Sequence, residues 1–318
     1  MDLFDRFLQE RTYLKNVSPE TLRYYRWVRR AFQPILANPT KFGMMDRIQT
    51  LLADGVSPTS VNTYLRGLKA YCRWLQAEGY LQEPLIVQPL KTQSKVIATL
   101  TPEQIRTLIA FKPKGINQTR THTAALLILD GGYRISELLT LPFEHCDFEN
   151  LVVKVRGKGG KHRLVPLSVE MRKVLYRYAV KLSGPGRLMF GTRNGTSVTV
   201  RNFERDLKGI GKRVGIEGVR FSPHTLRHSF AVSYLRNGGN LYYLSRLLGH
   251  ASVKTTGVYL QSVGVDELAA VHDRLSPLAP EPSEGGKGGD CRPLAATIYM
   301  HSRTSPCWLA SRERAERG

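Results

Sequence analysis

One device recurs along this chain: a Ser or Thr followed at once by Pro, at Ser18-Pro19, Ser57-Pro58, Thr101-Pro102 and Ser222-Pro223. The hydroxyl suits a helix N-cap, where it accepts a backbone N–H of the first turn, and proline's fixed φ suits the first helical position. A chain punctuated this way is a set of separately started helices. Stripes of apolar residues follow the starts. After Ser18, Leu22, Tyr25 and Val28 recur at helical spacing, and after Ser57 the residues Val61, Leu65, Leu68, Cys72 and Leu75 make one face that stops near Gly79. The opposite sides carry Arg23, Arg26, Arg29 and Arg30 on the first of these helices and Arg66, Lys69 and Arg73 on the second. Residues 1–82 therefore read as a small all-helical module with basic faces.

From Leu81 to Ala98 helical periodicity lapses and prolines accumulate, which places a linker at 83–98. A second domain, 99–276, opens with Thr101 as cap and Leu100 stapling against Ile105. The apolar stretch THTAALLILDGGYRISELLTL reads as a helix, and LVVKVRGKGGKHRLVPL reads as a β-hairpin, two β-branched runs around a Gly-rich turn. Helices then dominate. The fold class expected is mainly α with a small antiparallel β-sheet. Residues 277–318, rich in Pro, Gly and Ser without a sustained period, read as a disordered tail.

The sequence of 318 residues holds 47 Lys and Arg against 26 Asp and Glu, a formal net charge of +21. Such a field draws polyanions by releasing their condensed counterions, so nucleic acid is the expected partner. A lipid-binding helix would gather its cations on one amphipathic segment, whereas these are spread over both halves. No apolar run approaches the roughly 20 residues that span a bilayer, and the amphipathic start MDLFDRFLQERTYLKN, which is not a basic segment followed by an apolar one, does not resemble a secretory leader. The expectation is a cytoplasmic protein without a membrane partner. Cys72, Cys146, Cys291 and Cys307 are scattered and contain no Cys-x-x-Cys pair, so they read as reduced.

The chemistry concentrates in the second domain. His224 and His228 lie four apart on a helix, a zinc spacing, but Thr-Leu-Arg intervenes with no Glu, and a guanidinium one turn from a ligand repels a cation. His224 and Arg227, three apart, face one way and point instead to an anion. In LLGHASVKTTGVYL a helix stops at Gly249, His250 lies just beyond, and Ser252 caps a new short helix bearing Tyr259. In GGYRISELL, Glu137 can orient Arg134, the plain alternative being a surface ion pair of little consequence. Lys158 sits in the GKGG turn, which lacks the spacing and following Ser or Thr of a nucleotide-binding loop.

Taken together, Arg134, Lys158, His224-Thr-Leu-Arg227, Leu-Gly-His250 and Tyr259, in that order, resemble the signature of the tyrosine recombinase (phage integrase) family, and the layout is nearest to its Xer-type members. The motifs GYRISEL, HTLRHSFA and LLGHASVKTTGVY carry the resemblance, which covers about residues 1–275. Tyr133 stands where the family usually has an aliphatic residue, and Val232-Ser233 where Xer proteins usually continue Thr-His. The resemblance implies a helical N-terminal core-binding domain and an α+β catalytic domain that clamp duplex DNA. It also implies a homotetramer on DNA, leaving monomer or dimer open for the free protein, in which a C-terminal helix docks on a neighbour. VDELAAVHDRL, 265–275, has the amphipathic pattern of such a helix.

The implied chemistry is site-specific cutting and rejoining of DNA, for integration, excision or resolution of DNA elements. Tyr259 becomes joined to the 3′ phosphate and releases a 5′ hydroxyl. Arg134 and Arg227 offer planar forks of donors to the non-bridging oxygens, where charge accumulates in the transition state. His224 can accept the phenol proton, Lys158 can protonate the departing 5′ oxygen, and His250 can donate to the phosphate or help position the phenol. Bond energy is kept in the phosphotyrosine, so no cofactor, metal, ATP or small-molecule substrate is expected. Two other readings stand beside this one: a type IB topoisomerase-like relaxing enzyme, and a sequence-specific DNA-binding protein with a vestigial site. The intact set of six residues speaks against the latter. The absence of a separate module for distant arm sites fits dimer resolution or a mobile element.

Overall fold

A computed structural model describes residues 2–92, 97–157, 160, 162–182, 188–192, 194–262 and 264. The chain divides into two compact units, Met1–Ile97 and Ala98–Gly318.

In the first unit, helices α1 (Leu3–Tyr13), α2 (Pro19–Phe32), α3 (Lys41–Ala53) and α4 (Pro58–Ala77) enclose one core. Ser18 and Ser57 cap α2 and α4 through the N–H groups of Thr21 and Ser60, with proline in the first turn of each. The stripe Val61, Leu65, Leu68, Cys72 and Leu75 is buried to the last member. Each side chain of this size stabilises the fold by about 1.5–3 kcal/mol. One of the arginines read as belonging to a basic face does otherwise: Arg29 pairs with Asp2 and Asp5 at 2.5 and 2.7 Å, fastening α1 to α2. Leu85, Val87 and Leu90 pack on this core, and Asn62 grips Leu90 through both its N–H and its carbonyl. Part of the stretch read as linker is thus laid along the helical unit.

The second unit is built around α6 (Gly115–Gly131), which packs against α8 (Val169–Lys181), α9 (Val200–Arg213) and α10 (Pro223–Arg236). Around them lie α5 (Pro102–Ala110), α7 (Ile135–Leu139), α11 (Leu241–Leu248), α12 (Val253–Thr256) and a 3₁₀ segment, Gly257–Ser262. Burial on nearly all sides of α6, at Thr121 to Ala125, Leu127 and Ile128, marks it as the central helix. The apolar stretch expected as a single helix is two. Gly132, at φ +65°, ends α6 in the left-handed conformation, and Arg134 begins α7. A side chain at Gly132 would also lie 2.5 Å from the Phe230 ring and 2.6 Å from Leu248, so both backbone and space demand glycine.

The sheet is antiparallel in the order β1 (Cys146–Asp147), β2 (Val152–Arg156), β3 (His162–Pro166), with Val153 facing Val165 and Arg156 facing His162. Val153 and Val155 turn into the core while Lys154 and Arg156 face water, the period-two pattern of a half-buried strand. The β2–β3 hairpin is the one read from the sequence. The two-residue β1 is too short to leave a periodic trace.

Candidate active site

Arg227 lies on the first turns of α10, beneath the Ser222 cap, and is only 5% exposed. Its guanidinium donates to the carbonyls of Gly132 at 2.5 Å and Leu248 at 2.8 Å, and to His250 Nε2 at 3.0 Å. All three partners are neutral. Burial, and then the charge of Arg134, pull the Arg227 pKa down to about 10, which still leaves it charged at pH 7. The two carbonyls belong to the ends of α6 and α11, where helix termination leaves acceptors without intrahelical partners. Helix ends therefore hold the guanidinium in place without cancelling its charge.

Arg134 is held differently. As the residue before α7, it receives Glu137 at both ends: the carboxylate accepts the Arg134 backbone N–H at 2.8 Å and its guanidinium at 3.0 Å. The fork also donates to the Gly249 carbonyl at 3.2 Å, and the side chain remains 36% exposed. Glu137 is itself buried, and Arg163 of β3 clamps it with two bonds of 2.8 Å while donating through Nε to the Leu247 carbonyl. Burial pushes the Glu137 carboxyl up, but hydrogen bonds and charge from Arg163, assisted by Arg134, outweigh it and hold the pKa below the usual carboxylate range. Glu137 thus meets Arg134 as the spacing implies, and the plain alternative of a surface ion pair does not hold, since the carboxylate is buried. Two guanidiniums share one carboxylate here and that of Arg227 has no anionic partner, so the surplus of positive charge sits in a partly desolvated pocket suited to an anion.

Gly249 ends α11 at φ +64°, with Arg163 packed 3.0 Å from where a side chain would begin, and the turn delivers His250 to Arg227. Because the guanidinium donates to His250 Nε2, the ring proton is on Nδ1, which donates to Thr256 Oγ1 at 2.8 Å. Burial, then Arg227, Arg134, Arg163 and His228, drive the His250 pKa down to about 4, so the imidazole is neutral. In this state His250 orients Arg227 as an acceptor.

Tyr259, on the 3₁₀ segment rather than on a helix proper, is 3% exposed. Its hydroxyl is 2.9 Å from His228 Nδ1, and the Arg227 charge lies close enough to act on it. Burial raises the phenol pKa, and the charges of Arg227 and Arg134 work against that rise.

Arg134, Arg227, His250 and Tyr259 thus converge on the ends of α6, α10 and α11. His224 and Arg227 do not face one way, as the spacing alone implied. The guanidinium turns inward to the carbonyls, while His224 stays exposed with its ring 6.4 Å, centroid to centroid, from that of His228. Lys158 falls between β2 and β3 in the sequence and lies outside the described residues, as do 265–275 and the tail from 277. Arg163, His228 and Thr256 join this site without a motif that marks them in the sequence. His228 carries a signal in its position next to Arg227, although its four-residue spacing from His224 points to a metal ligand; Arg163 shows nothing beyond strand alternation.

Residues 98–263 match the model of the phage integrase family. The tyrosine recombinase XerA of Pyrococcus furiosus is 31% identical over 250 residues, covering 77% of this chain and 85% of that protein. The chain belongs to the phage integrase family. The tyrosine recombinase XerD of Brucella suis biovar 1 is 33% identical over 230 residues, 67% of this chain and 74% of its own. Among solved structures, the Tn1549 transposon integrase in complex with transposon right end DNA superposes with a TM-score of 0.70 at 21% identity, covering 86% of this chain and 99% of that one. A lambda integrase dimer bound to a COC′ core site gives 0.64 at 18%, with coverage of 81% and 93%. At such identities the likeness is one of fold, mostly helical with a small antiparallel sheet. This recombinase is a DNA strand-transferring enzyme of site-specific recombination, and DNA is its partner. The relaxing-enzyme and non-catalytic readings are not favoured. Among the described residues no helix is long and apolar enough to cross a membrane.

Proposed function

We propose that Tyr259 is the nucleophile of this recombinase and that Arg134 and Arg227 hold the scissile phosphate. The observation that carries the reading is the buried Tyr259 hydroxyl within the field of Arg227, whose guanidinium has only neutral partners, and of Arg134. A phosphodiester entering the pocket supplies the missing negative charge. Its non-bridging oxygens, where charge grows in the transition state, meet donors already held by Glu137, His250 and helix-end carbonyls, so little reorganisation is needed during reaction.

Tyr259 Oη bonds to phosphorus, the bond to the 5′ oxygen breaks, and Lys158 gives that oxygen a proton as it leaves as a hydroxyl. The 5′ hydroxyl of a partner strand then attacks the phosphotyrosine and frees the phenol. Arg227 remains charged throughout, since its pKa of about 10 lies well above neutrality. His250 keeps Arg227 aimed. His224, at the exposed start of α10, faces the solvent side from which DNA would arrive and serves as a phosphate contact.

The organisation follows from the same reading: a helical DNA-binding domain over 1–82, a linker over 83–98 and a catalytic domain over 99–276. It acts as a homotetramer on a double-stranded recombination site in the cytoplasm. The Tn1549 integrase and lambda integrase structures, both bound to DNA, support a duplex as the substrate. The work is integration, excision or resolution of a DNA element.

The test is covalent trapping. The chain is incubated with nicked duplexes of random sequence, so that the released fragment diffuses away, and adducts are recovered and sequenced. Adduct formation by the wild type and its loss in Tyr259→Phe are expected. An unchanged adduct yield in Tyr259→Phe would end the assignment.

A further inference from the structure

The phenol of Tyr259 needs somewhere to send its proton. Arg227, whose charge acts on the hydroxyl, has only donors and cannot accept it. Among the described residues the acceptor in contact is His228, whose Nδ1 stands 2.9 Å from the hydroxyl oxygen with the rings 5.5 Å apart and tilted by 54°. His224 does not make that contact; its ring lies over His228 instead. The fold enforces the arrangement. One residue along α10 from Arg227, His228 projects about 100° further round the helix, which carries it from the carbonyl nest to the 3₁₀ segment bearing Tyr259, packed against the same helix.

We propose that His228 is the general base of DNA cleavage, taking the Tyr259 proton directly through Nδ1, and so a catalytic residue beyond the six read from the sequence. The inference rests on Tyr259 being the nucleophile. As Oη bonds to phosphorus its proton passes to Nδ1 and the imidazole becomes an imidazolium; the bond to the 5′ oxygen breaks and that oxygen takes a different proton, from Lys158. On rejoining, the 5′ hydroxyl gives its proton back to the Lys158 amine while His228 returns the first proton to the departing phenol oxygen. Protons and charge balance in both directions.

The surroundings fit a transient base. Burial, followed by the charges of His224 and Arg227, holds the His228 pKa below its ordinary value, so the ring is neutral at pH 7 and can accept. The groups facing it are His224 and Arg227 from α10, Tyr259 from the 3₁₀ segment and His250 from beyond α11. None is an anion. An arriving phosphate changes that: it offsets the charge of Arg227 and makes the imidazole a better base when substrate is bound.

His228→Asn is the informative variant, because the amide oxygen stands close to where Nδ1 was and can accept the phenol hydrogen bond without taking the proton. The full chain is assayed in single turnover on a nicked duplex of the sequence recovered from wild-type adducts. Two versions are used, with oxygen or with sulfur at the 5′ bridging position; sulfur leaves without protonation. His228→Asn and His228→Ala are each expected to slow adduct formation by about 10²–10⁴-fold on both duplexes, with retention of the duplex in a gel shift and a cooperative unfolding transition. Should His228→Ala fail to fold, His228→Asn and His228→Gln carry the measurement. Adduct formation by His228→Asn at the wild-type rate overturns the proposal, leaving His228 a holder of the phenol. A defect erased by the sulfur duplex also overturns it, since the residue would then act on the leaving group. Either result stands apart from failure of the Tyr259 assignment, in which the wild type gives no adduct or Tyr259→Phe keeps it.

Discussion

Replacing Glu137 with Gln removes one charge from the molecule and almost no volume, and the site geometry sets how much that matters. The carboxylate is 5% exposed and takes two bonds of 2.8 Å from Arg163, itself 13% exposed, besides two from Arg134. Unpairing a buried charge costs about 3–5 kcal/mol, and the 36% exposure of Arg134, which water can screen, argues for the lower end. At about 2–4 °C per kcal/mol for a unit of this size, the melting transition of Glu137→Gln should fall by roughly 6–12 °C. Adduct formation should slow as well, because Arg134 loses its orienting partner. The sign of the pH dependence is fixed by Glu137 having a folded pKa below its unfolded one. Its contribution is present in full above the ordinary carboxylate range and disappears as pH falls through the depressed value. The stability gap between wild type and variant, measured by denaturant unfolding, should therefore be widest near neutrality and narrow as the pH drops below about 4.5. A variant as stable as the wild type at pH 7, cleaving at the same rate, would refute the reasoning.

Gly132→Ala forces a left-handed backbone on alanine and a methyl group into Phe230 and Leu248. The conformational term of about 1–2 kcal/mol and the overpacking term of about 1–3 kcal/mol predict a loss of roughly 2–5 kcal/mol in chemical denaturation, with reduced cleavage because the Gly132 carbonyl anchors Arg227. His250, with its pKa lowered from 6.5 to about 4, is neutral in the folded chain while the unfolded chain protonates first. Acidification from about 6.5 towards 4 should then destabilise the wild type more than His250→Asn, as read by unfolding at a series of pH values. Lys158→Ala should cleave poorly at a 5′ oxygen and recover on the 5′ sulfur duplex in a single-turnover assay; a variant equally slow on both would remove Lys158 from its role as acid.

What the sequence determined by itself was whatever depends on neighbours a few residues apart. Ser18, Ser57, Thr101 and Ser222 cap helices because a hydroxyl reaches an N–H three residues on, and the runs on either side of GKGG pair as a hairpin because β-branched residues flank a Gly-rich stretch. The order of the motifs gave the family, and Gly249 marked the end of α11. Even the single apolar helix that turned out to be two carried its break in Gly131-Gly132. Only the tertiary structure decided which way the functional side chains turn. Arg227 binds a carbonyl 95 positions away and Arg134 one 115 away, so neither orientation can be inferred from spacing along a helix. Arg163 reaches Glu137 across 26 residues, and burial turns what could have been a surface ion pair into an interior one. His228 became the partner of Tyr259, 31 residues distant, because α10 packs against the 3₁₀ segment. Local signals fix the backbone through hydrogen bonds closed within one turn, whereas proton and charge partners are set by which helix ends the core brings together.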